Sequence, residues 1–221
     1  LCLDVTEKIV DEAISKGCNL IVSHHPLLFH PLKKISDADY VQSSVIKAIQ
    51  NNIAIISMHT NMDNARGGVN FKIAEKMELT NVHFFCTKIV DGIECGSGVI
   101  GEFEEPKAAD DFIIDIKKTF DVECVQCNQL LRREIKNVAI CGGAGSFLIN
   151  DAIAEGADAF VTGEMHYHEY FGNEQKIQIA VIGHYQSEQY TNEIFKSIIQ
   201  DACESLPVFM AETNTNPIIY L

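Results

Sequence analysis

The chain has 221 residues, of which 17 are Lys or Arg and 31 are Asp or Glu, so its formal net charge is −14. This acidic balance argues against a nucleic-acid binder, which needs clustered Lys and Arg, and against an anionic membrane surface as partner. The sequence has no apolar run long enough to cross a bilayer, and its 47% apolar content is that of a folded protein. We therefore expect one large domain or two small ones that share a core.

Strand-like and helix-like segments alternate along the chain. LCLDVT predicts a strand, and because no methionine precedes it we expect that an N-terminal segment is missing. The next predictions are a helix at VTEKIVDEAISKG, a strand at NLIVS, a helix at YVQSSVIKAIQNN, a strand at IAIIS and a helix at VNFKIAEKM. Strands near 82–86 and 97–103 and a helix at 107–119 follow. The second half predicts strand 137–141, helix 146–155, strands 158–162 and 177–182, helix 187–204 and strand 207–211. This alternation predicts an α/β fold with mainly parallel strands.

The second half repeats the first in outline. Residues 13–23 align with residues 152–162, and both segments contain a helix end, a glycine, a strand and a polar loop. His59-x-x-x-Asp63 follows IAIIS, and His184-x-x-x-Glu188 follows IAVIG. Two matches in the same order favour an internal duplication, with related halves at 1–90 and 91–221 that share one core. Four polar loops would then lie at the carboxyl ends of strands, where open α/β sheets bind ligands.

Histidines are concentrated in these loops. His24 and His25 follow a buried strand, and because neighbouring side chains at a strand end point in opposite directions, they could serve two ions. The His-x-x-x-carboxylate spacing places both side chains on one face of a helical turn. Imidazole nitrogen is the usual ligand for zinc, iron, cobalt or nickel, and a carboxylate can bridge two cations. The alternative is that these residues are solvated pairs on the surface. The position of the motifs at strand ends favours a metal site.

Three other motifs have a structural and a functional interpretation. The segment Gly142–Ser146 could hold a phosphate, but it lacks the lysine of a phosphate loop, so a tight strand-to-helix turn is favoured. The segment Thr162–His168 offers an acid, two imidazoles and a phenol for proton transfer, or some of them support neighbouring ligands: Glu164, His166, His168 and Tyr167. The eight cysteines are read as reduced core thiols of a cytosolic protein, and Cys124-x-x-Cys127 as part of a strand. The sequence has no Gly-x-Ser-x-Gly motif, which argues against catalysis by a side-chain nucleophile.

Four segments together resemble one family: SHHPLLF, HTNMDNARGGVN, TGEMHYHEY and GHYQSEQY. They resemble the GTP cyclohydrolase I type 2 family, also called the Nif-three-like (NGG-interacting-factor-three-like) family, and the resemblance extends from LDVTEKIVDEAI to the C-terminus. It implies two related α/β halves that enclose a dinuclear metal site. The family's helices before LDVT are absent, and the stretch near 83–97 is too short for the α+β domain that many members insert. The resemblance implies these metal ligands: His24, His25, Asp63, His184 and Glu188. It also implies that His59 lines the site without being a primary ligand.

The resemblance implies a function as well. Two divalent ions per subunit (zinc, iron, manganese, cobalt or nickel) would activate a water for hydrolysis, with Glu164, His59 or His168 transferring protons. The family name implies GTP, a nucleotide, as the small-molecule substrate, although the sequence contains no recognisable guanine or triphosphate motif. The same ligands suit a non-catalytic metal-binding, metal-chaperone or regulatory scaffold protein, and an acidic structural subunit with incidental histidines is a third alternative. We expect a cytoplasmic homo-oligomer, a hexamer by resemblance, without nucleic-acid or membrane partners.

Overall fold

The computed structural model describes residues 1–221 and shows a mixed α/β protein. The helices are α1 Glu7–Ser15, α2 Tyr40–Gln50, α3 Thr60–Asp63, α4 Val69–Lys76, α5 Ala109–Thr119, α6 Ile149–Ala154, α7 His184–Glu188 and α8 Thr191–Ala202. The strands are β1 Leu20–Ser23, β2 Ala54–Ser57, β3 Thr80–Val90, β4 Ile93–Lys107, β5 Gln126–Cys127, β6 Ile135–Cys141, β7 Ala159–Thr162 and β8 Gln178–Val181. Two 3₁₀ turns lie at Ser146–Leu148 and Tyr167–Tyr170.

The chain forms two compact units. The first consists of Leu1–Met62 and Thr191–Ile219, and the second of Asp63–Tyr190 and Tyr220–Leu221. These bounds differ from those of the sequence halves 1–90 and 91–221, whose origin by duplication stays a prediction. None of the helices is both long enough and apolar enough to span a membrane.

The first unit is built on a parallel pair of strands. β1 and β2 run side by side from Leu20 opposite Ala54 to Ser23 opposite Ser57. The helix α1 begins where Thr6 accepts a hydrogen bond from the amide of Ile9 (3.4 Å), which satisfies one of the otherwise unbonded amides of the first turn. Its apolar face is buried in a cluster with residues of both strands and of α2. The helices predicted at VTEKIVDEAISKG and YVQSSVIKAIQNN and the strands predicted at NLIVS and IAIIS are therefore confirmed.

The second unit contains a six-stranded sheet in the order β3-β4-β6-β7-β8-β5. The neighbours β6, β7 and β8 are parallel, whereas β3, β4 and β5 pair antiparallel with their neighbours. The parallel strands are completely buried from Val138 onward in β6 and along all of β7 and β8, as expected for strands covered on both faces. Phe160 at the centre of β7 has no exposed surface and belongs to the core of this unit.

Several sequence predictions of local structure were wrong. LCLDVT forms a single bridge, from Cys2 to Ser23, instead of a strand. Residues 207–211 form no strand, because Pro207 lacks an amide donor and the two backbone hydrogen bonds to Leu1 are too few for a ladder. The prediction of mainly parallel strands holds only for the pairs β1–β2, β6–β7 and β7–β8. The Cys124–Cys127 segment is strand only at its last two residues.

Candidate metal centre

Three histidines of the first unit form a group after its two strands. His24 directly follows β1, His59 lies two residues after β2, and the parallel register brings the two strand ends together. The ring centroids of His24 and His25 are 4.9 Å apart, and that of His59 lies 5.2 Å from His24 and 5.3 Å from His25. One ring nitrogen of each lies within 4.8 Å of a ring nitrogen of the other two. Nitrogens at this separation can be ligands of one metal ion, so the histidine group suits metal binding.

Hydrogen bonds set the orientation of the two adjacent imidazoles. Nδ1 of His24 lies 3.0 Å from the carbonyl oxygen of Met58, which can only accept, so Nδ1 carries a proton and, in the neutral ring, Nε2 carries the lone pair. Nδ1 of His25 lies 2.8 Å from Oδ1 of Asp4, and Oδ2 of Asp4 accepts a hydrogen bond of 2.9 Å from the Thr215 hydroxyl. An acceptor on the second ring nitrogen is the usual arrangement around a metal-binding histidine. Both rings therefore present Nε2 as the ligand atom.

The second unit carries an acidic group around His184. The helix α7 starts at His184 and ends at Glu188, so the spacing of four residues places both side chains on one face. Nε2 of His184 lies 3.1 Å from Oε2 of Glu188, and its Nδ1 lies 3.0 Å from Oε1 of Glu164. One carboxylate oxygen of Asp63 and one of Glu188 lie within 4.8 Å of each other. The acidic group (Asp63, Glu164, His184 and Glu188) thus combines imidazole and carboxylate ligands.

The parallel strands of the second unit explain how distant residues meet. The last residues of β6, β7 and β8 are register partners, so the loops that follow them start side by side. The backbone oxygen of Gly143 accepts a hydrogen bond from the amide of Glu164 (2.9 Å). The amide of Gly143 donates to the hydroxyl of Ser187 (2.9 Å), which in turn donates to the carbonyl of His184 (2.8 Å). The three loops are therefore joined to one another by hydrogen bonds.

The glycine segment 142–146 is a tight turn that faces this group. Gly143 has a φ of +57°, and a Cβ atom there would collide with Oε1 of Glu188. The amides of Gly142 and Gly145 donate to the side chains of Asn70 (2.8 Å) and Thr162 (3.1 Å). Two backbone amides of the turn thus donate to neighbouring side chains of the protein. This agrees with a tight strand-to-helix turn rather than with a phosphate-binding loop.

Asn70 is a supporting residue that the sequence reasoning missed. Its side chain is buried, with 1% of the residue exposed, and its Nδ2 donates to the carbonyl oxygens of Asp63 and Ser97, each at 3.1 Å. Because Oδ1 of Asn70 accepts from Gly142, one amide side chain joins the Asp63 backbone to the glycine turn. The only signal in the sequence was its place at the end of HTNMDNARGGVN.

The thiol of Cys141 is influenced by the carboxylates of Asp63 and Glu188 but is not reactive. Burial, and then the negative charges of Asp63 and Glu188, raise the pKa of the Cys141 thiol to about 12. The thiol therefore stays protonated at neutral pH, and it donates to the carbonyl oxygen of Ser97 at 3.2 Å. Cys2 and Cys141 are buried, as the interpretation of the cysteines as core thiols expects, but it is wrong for four exposed cysteines: Cys86, Cys124, Cys127 and Cys203.

The structure groups most of the residues singled out from the sequence. His24, His25 and His59 come together in the first unit, and Asp63, Glu164, His184 and Glu188 do so in the second. His168 is placed differently, because its ring stacks on Phe171 at 6.0 Å and meets the ring of Tyr167 at 5.2 Å. Asp4, which holds His25, was not singled out from the sequence, although LDVT belongs to the matching segments.

Comparisons with known proteins agree with the fold and the motifs. Residues 1–217 match the model of the Duf34/NIF3 (NGG1p interacting factor 3) family. The chain belongs to this family. A Clostridium acetobutylicum relative named GTP cyclohydrolase 1 type 2 homolog is 28% identical over 97% of this chain and 82% of its own length. A Clostridium perfringens relative of the same name is 34% identical over 85% of this chain and 72% of its own length.

A solved Duf34/NIF3-like structure supports the fold. The crystal structure of Staphylococcus aureus hypothetical protein SA1388 superimposes with a TM-score of 0.90 at 30% sequence identity. The match covers 100% of this chain and 86% of that chain. The mixed α/β architecture of the Duf34/NIF3 chain is thus shared with an experimentally determined relative.

Proposed function

We propose that this Duf34/NIF3 chain is a metal-dependent hydrolase that acts on a nucleotide. The observation that carries the proposal is the histidine group, in which His24, His25 and His59 bring ring nitrogens within 4.8 Å of one another. The proposal also draws on the name that these relatives share, GTP cyclohydrolase 1 type 2 homolog, for the class of reaction and substrate.

The proposed ligands fit divalent transition metals. His24, His25 and His184 supply imidazole nitrogens, and Asp63 and Glu188 supply carboxylate oxygens. A set of this kind suits zinc, iron, manganese, cobalt or nickel, and we propose two such ions per chain. The acceptors on Nδ1 of His24 and His25 hold the tautomer in which Nε2 is the nitrogen that could bind a metal. When bound, the ions would supply Lewis acidity and a water of lowered pKa.

The chain's own residues would move protons. Glu164 is half exposed, with 56% of its side chain accessible, and its Oε1 lies 3.0 Å from Nδ1 of His184. A carboxylate in this position can hold the orientation of the His184 ring and can exchange a proton with a substrate. His59 meets the rings of His24 and Phe29 edge to face, at 5.2 and 5.7 Å, so it lines the site as a second candidate proton carrier. We retain His168 as a third.

The test combines metal content with turnover. We expect purified protein to hold about two divalent ions per chain by elemental analysis, and to hydrolyse GTP when loaded. Asp63→Asn should lower both metal affinity and turnover by at least about 100-fold, because it removes a charged ligand. The matched control is Asp91→Asn, in the β3–β4 turn, where asparagine tolerates the φ of +52° and no ligand is lost.

Each alternative outcome has a clear meaning. Equal turnover by Asp63→Asn and by the unchanged protein would refute the hydrolase proposal. Tightly held metal without turnover of GTP, or of a broad panel of metabolites, would instead favour the metal-chaperone or regulatory scaffold function. Less than about one ion per chain, unchanged by His24→Ala, would leave only a structural role for these histidines.

A further inference from the structure

The loop after β7 presents three aromatic rings to solvent. Tyr167 meets His168 at 5.2 Å and Phe171 at 5.4 Å between ring centroids, both in edge-to-face geometry. His168 lies nearly parallel to Phe171, with 6.0 Å between centroids and 29° between planes. Tyr167 is 74% exposed and Phe171 59% exposed. We call these three rings the aromatic platform.

The aromatic platform is held rigidly by the backbone that carries it. Glu169 accepts a hydrogen bond from the amide of His166 (2.6 Å) through one oxygen and from the hydroxyl of Ser146 (3.0 Å) through the other. Asn173, itself buried, donates to the carbonyl oxygen of Glu169 (2.9 Å). These bonds cap the 3₁₀ turn from both sides. The rings are thus pre-organised, so little conformational entropy would be lost when a ligand binds them.

The exposed rings are not the result of a loose loop. Met165 and Tyr170, which flank the exposed residues, pack against the core cluster of the second unit. The loop therefore alternates between core contacts and rings that face outward. Rings that cluster on an ordered turn, instead of being exposed singly, are typical of a ligand surface.

The size of the aromatic platform fits a small planar ligand better than a second protein chain. A Phe or Tyr side chain has about 150–250 Å² of surface. The exposed fractions of Tyr167 and Phe171 then correspond to about 200–350 Å². A stable protein interface needs about 800 Å² from each partner, whereas one face of a nucleobase stacks well on one or two rings.

A carboxylate in the same loop as the aromatic platform indicates the kind of ring. Glu164 lies three residues before Tyr167 in the same loop, and its carboxylate is half exposed. A carboxylate accepts hydrogen bonds from the ring N–H and exocyclic amino groups of a purine. We propose that Tyr167, His168 and Phe171 stack against the purine base of a nucleotide, with Glu164 facing its N–H edge. This inference rests on the proposed nucleotide substrate and assigns the residues that recognise its base.

The test is direct binding, without turnover. Guanosine is titrated by calorimetry into the chelator-treated 221-residue chain, with ribose 5-phosphate as the probe that lacks a base. We expect Tyr167→Ala and Phe171→Ala each to weaken guanosine binding about 5- to 100-fold, the effect typical of one base–aromatic stack. Binding of ribose 5-phosphate should not change. Tyr167→Phe should keep guanosine affinity within about twofold, because the ring remains.

The matched control is Tyr40→Ala, which removes an equally exposed ring from the first unit. Melting curves of all variants establish that they fold. Unchanged guanosine affinity in both alanine variants, or no guanosine binding by the folded wild type, would overturn the proposal. A loss of oligomer mass in light scattering at constant guanosine affinity would assign the rings to a second copy of the chain. Guanosine binding through these rings in a protein without turnover would refute the hydrolase but keep the aromatic platform.

Discussion

Gly143 shows how a single backbone position controls a proposed metal ligand. Its φ of +57° is strained for any residue with a Cβ, and that Cβ would displace the carboxylate of Glu188. We therefore predict that Gly143→Ala lowers metal affinity about 10- to 100-fold, an effect typical of misplaced ligands. The strain should also lower the free energy of unfolding by about 1–2 kcal/mol. Elemental analysis and urea unfolding measure the two effects separately.

A matched glycine separates strain from displacement. Gly156 has a φ of +83°, but a Cβ there would meet nothing within 4 Å. Gly156→Ala should therefore show a similar loss of stability with unchanged metal content. If both variants lost metal equally, general destabilisation would explain the loss, and the contact with Glu188 would be irrelevant.

Residues whose motif carries its own geometry could be located from the sequence, and their role as metal ligands stays a prediction. His24 and His25 follow a buried strand, and the spacing of His184 and Glu188 is that of one helical turn, so both could be found from the sequence. Asp4 and Asn70 could not, because their roles depend on hydrogen bonds to residues 21 and 72 positions away. Only tertiary structure brings such partners together.

At the scale of elements, the helix-like and strand-like segments could be predicted from the sequence. The point at which the chain leaves one compact unit for the other could not. The alternation of strand-like and helix-like segments located β6, β7 and β8, and their pairing then placed three loops at one edge. The helix predicted at 187–204 is in fact two, since α7 ends at Glu188 and α8 begins at Thr191. The chain passes from the second unit to the first at this break, which a helical pattern alone does not reveal.

Hydrogen bonds to the carboxylate of Glu12 connect the C-terminal segment to α1. Glu12 accepts hydrogen bonds from the amides of Glu212 (2.8 Å) and Thr213 (3.0 Å), and from the hydroxyl of Thr213 (2.6 Å). Burial raises the pKa of Glu12, but the hydrogen bonds from these two residues outweigh burial and leave its pKa below the usual 4.5. We predict that Glu12→Gln lowers the free energy of unfolding by about 1–2 kcal/mol at pH 7, because hydrogen bonds to a charged acceptor are lost.

This effect should depend on pH in a defined direction. A lowered pKa in the folded state means that Glu12 stabilises the protein fully above the usual value of 4.5, and that this contribution disappears as the pH falls through the lower folded pKa. Urea unfolding at pH 7 and below pH 4 should therefore show the variant and the wild type converging in acid. Glu105→Gln, which replaces an exposed glutamate in β4, is the control. A difference that stayed constant or grew in acid would contradict the role of the carboxylate.

At the scale of the whole molecule, the formal charge of −14 affects the binding of any charged ligand. The proposed ligands include only two of the 31 acidic residues, Asp63 and Glu188, so most of the negative charge solvates the surface. Two divalent cations would bring the formal charge from −14 to about −10. An anionic nucleotide must therefore approach against long-range repulsion, which makes its binding weaker at low salt. The hexamer implied by family resemblance stays a prediction.

Metal binding should be visible in the stability of the whole chain. A ligand that binds only the folded state stabilises it by about 2.7 kcal/mol at a free concentration of 100 times its Kd. For a protein of 221 residues this corresponds to a rise in Tm of about 5–10 °C. We predict that a chelator lowers the Tm by this amount and that added zinc or manganese restores it. His24→Ala should melt at the same temperature with and without metal, whereas His30→Ala, which removes an exposed histidine of the same loop, should respond as the wild type does. The metal-loaded and the metal-free wild type, each verified by elemental analysis, should therefore melt differently. Identical melting curves would contradict a metal site that forms only in the folded protein.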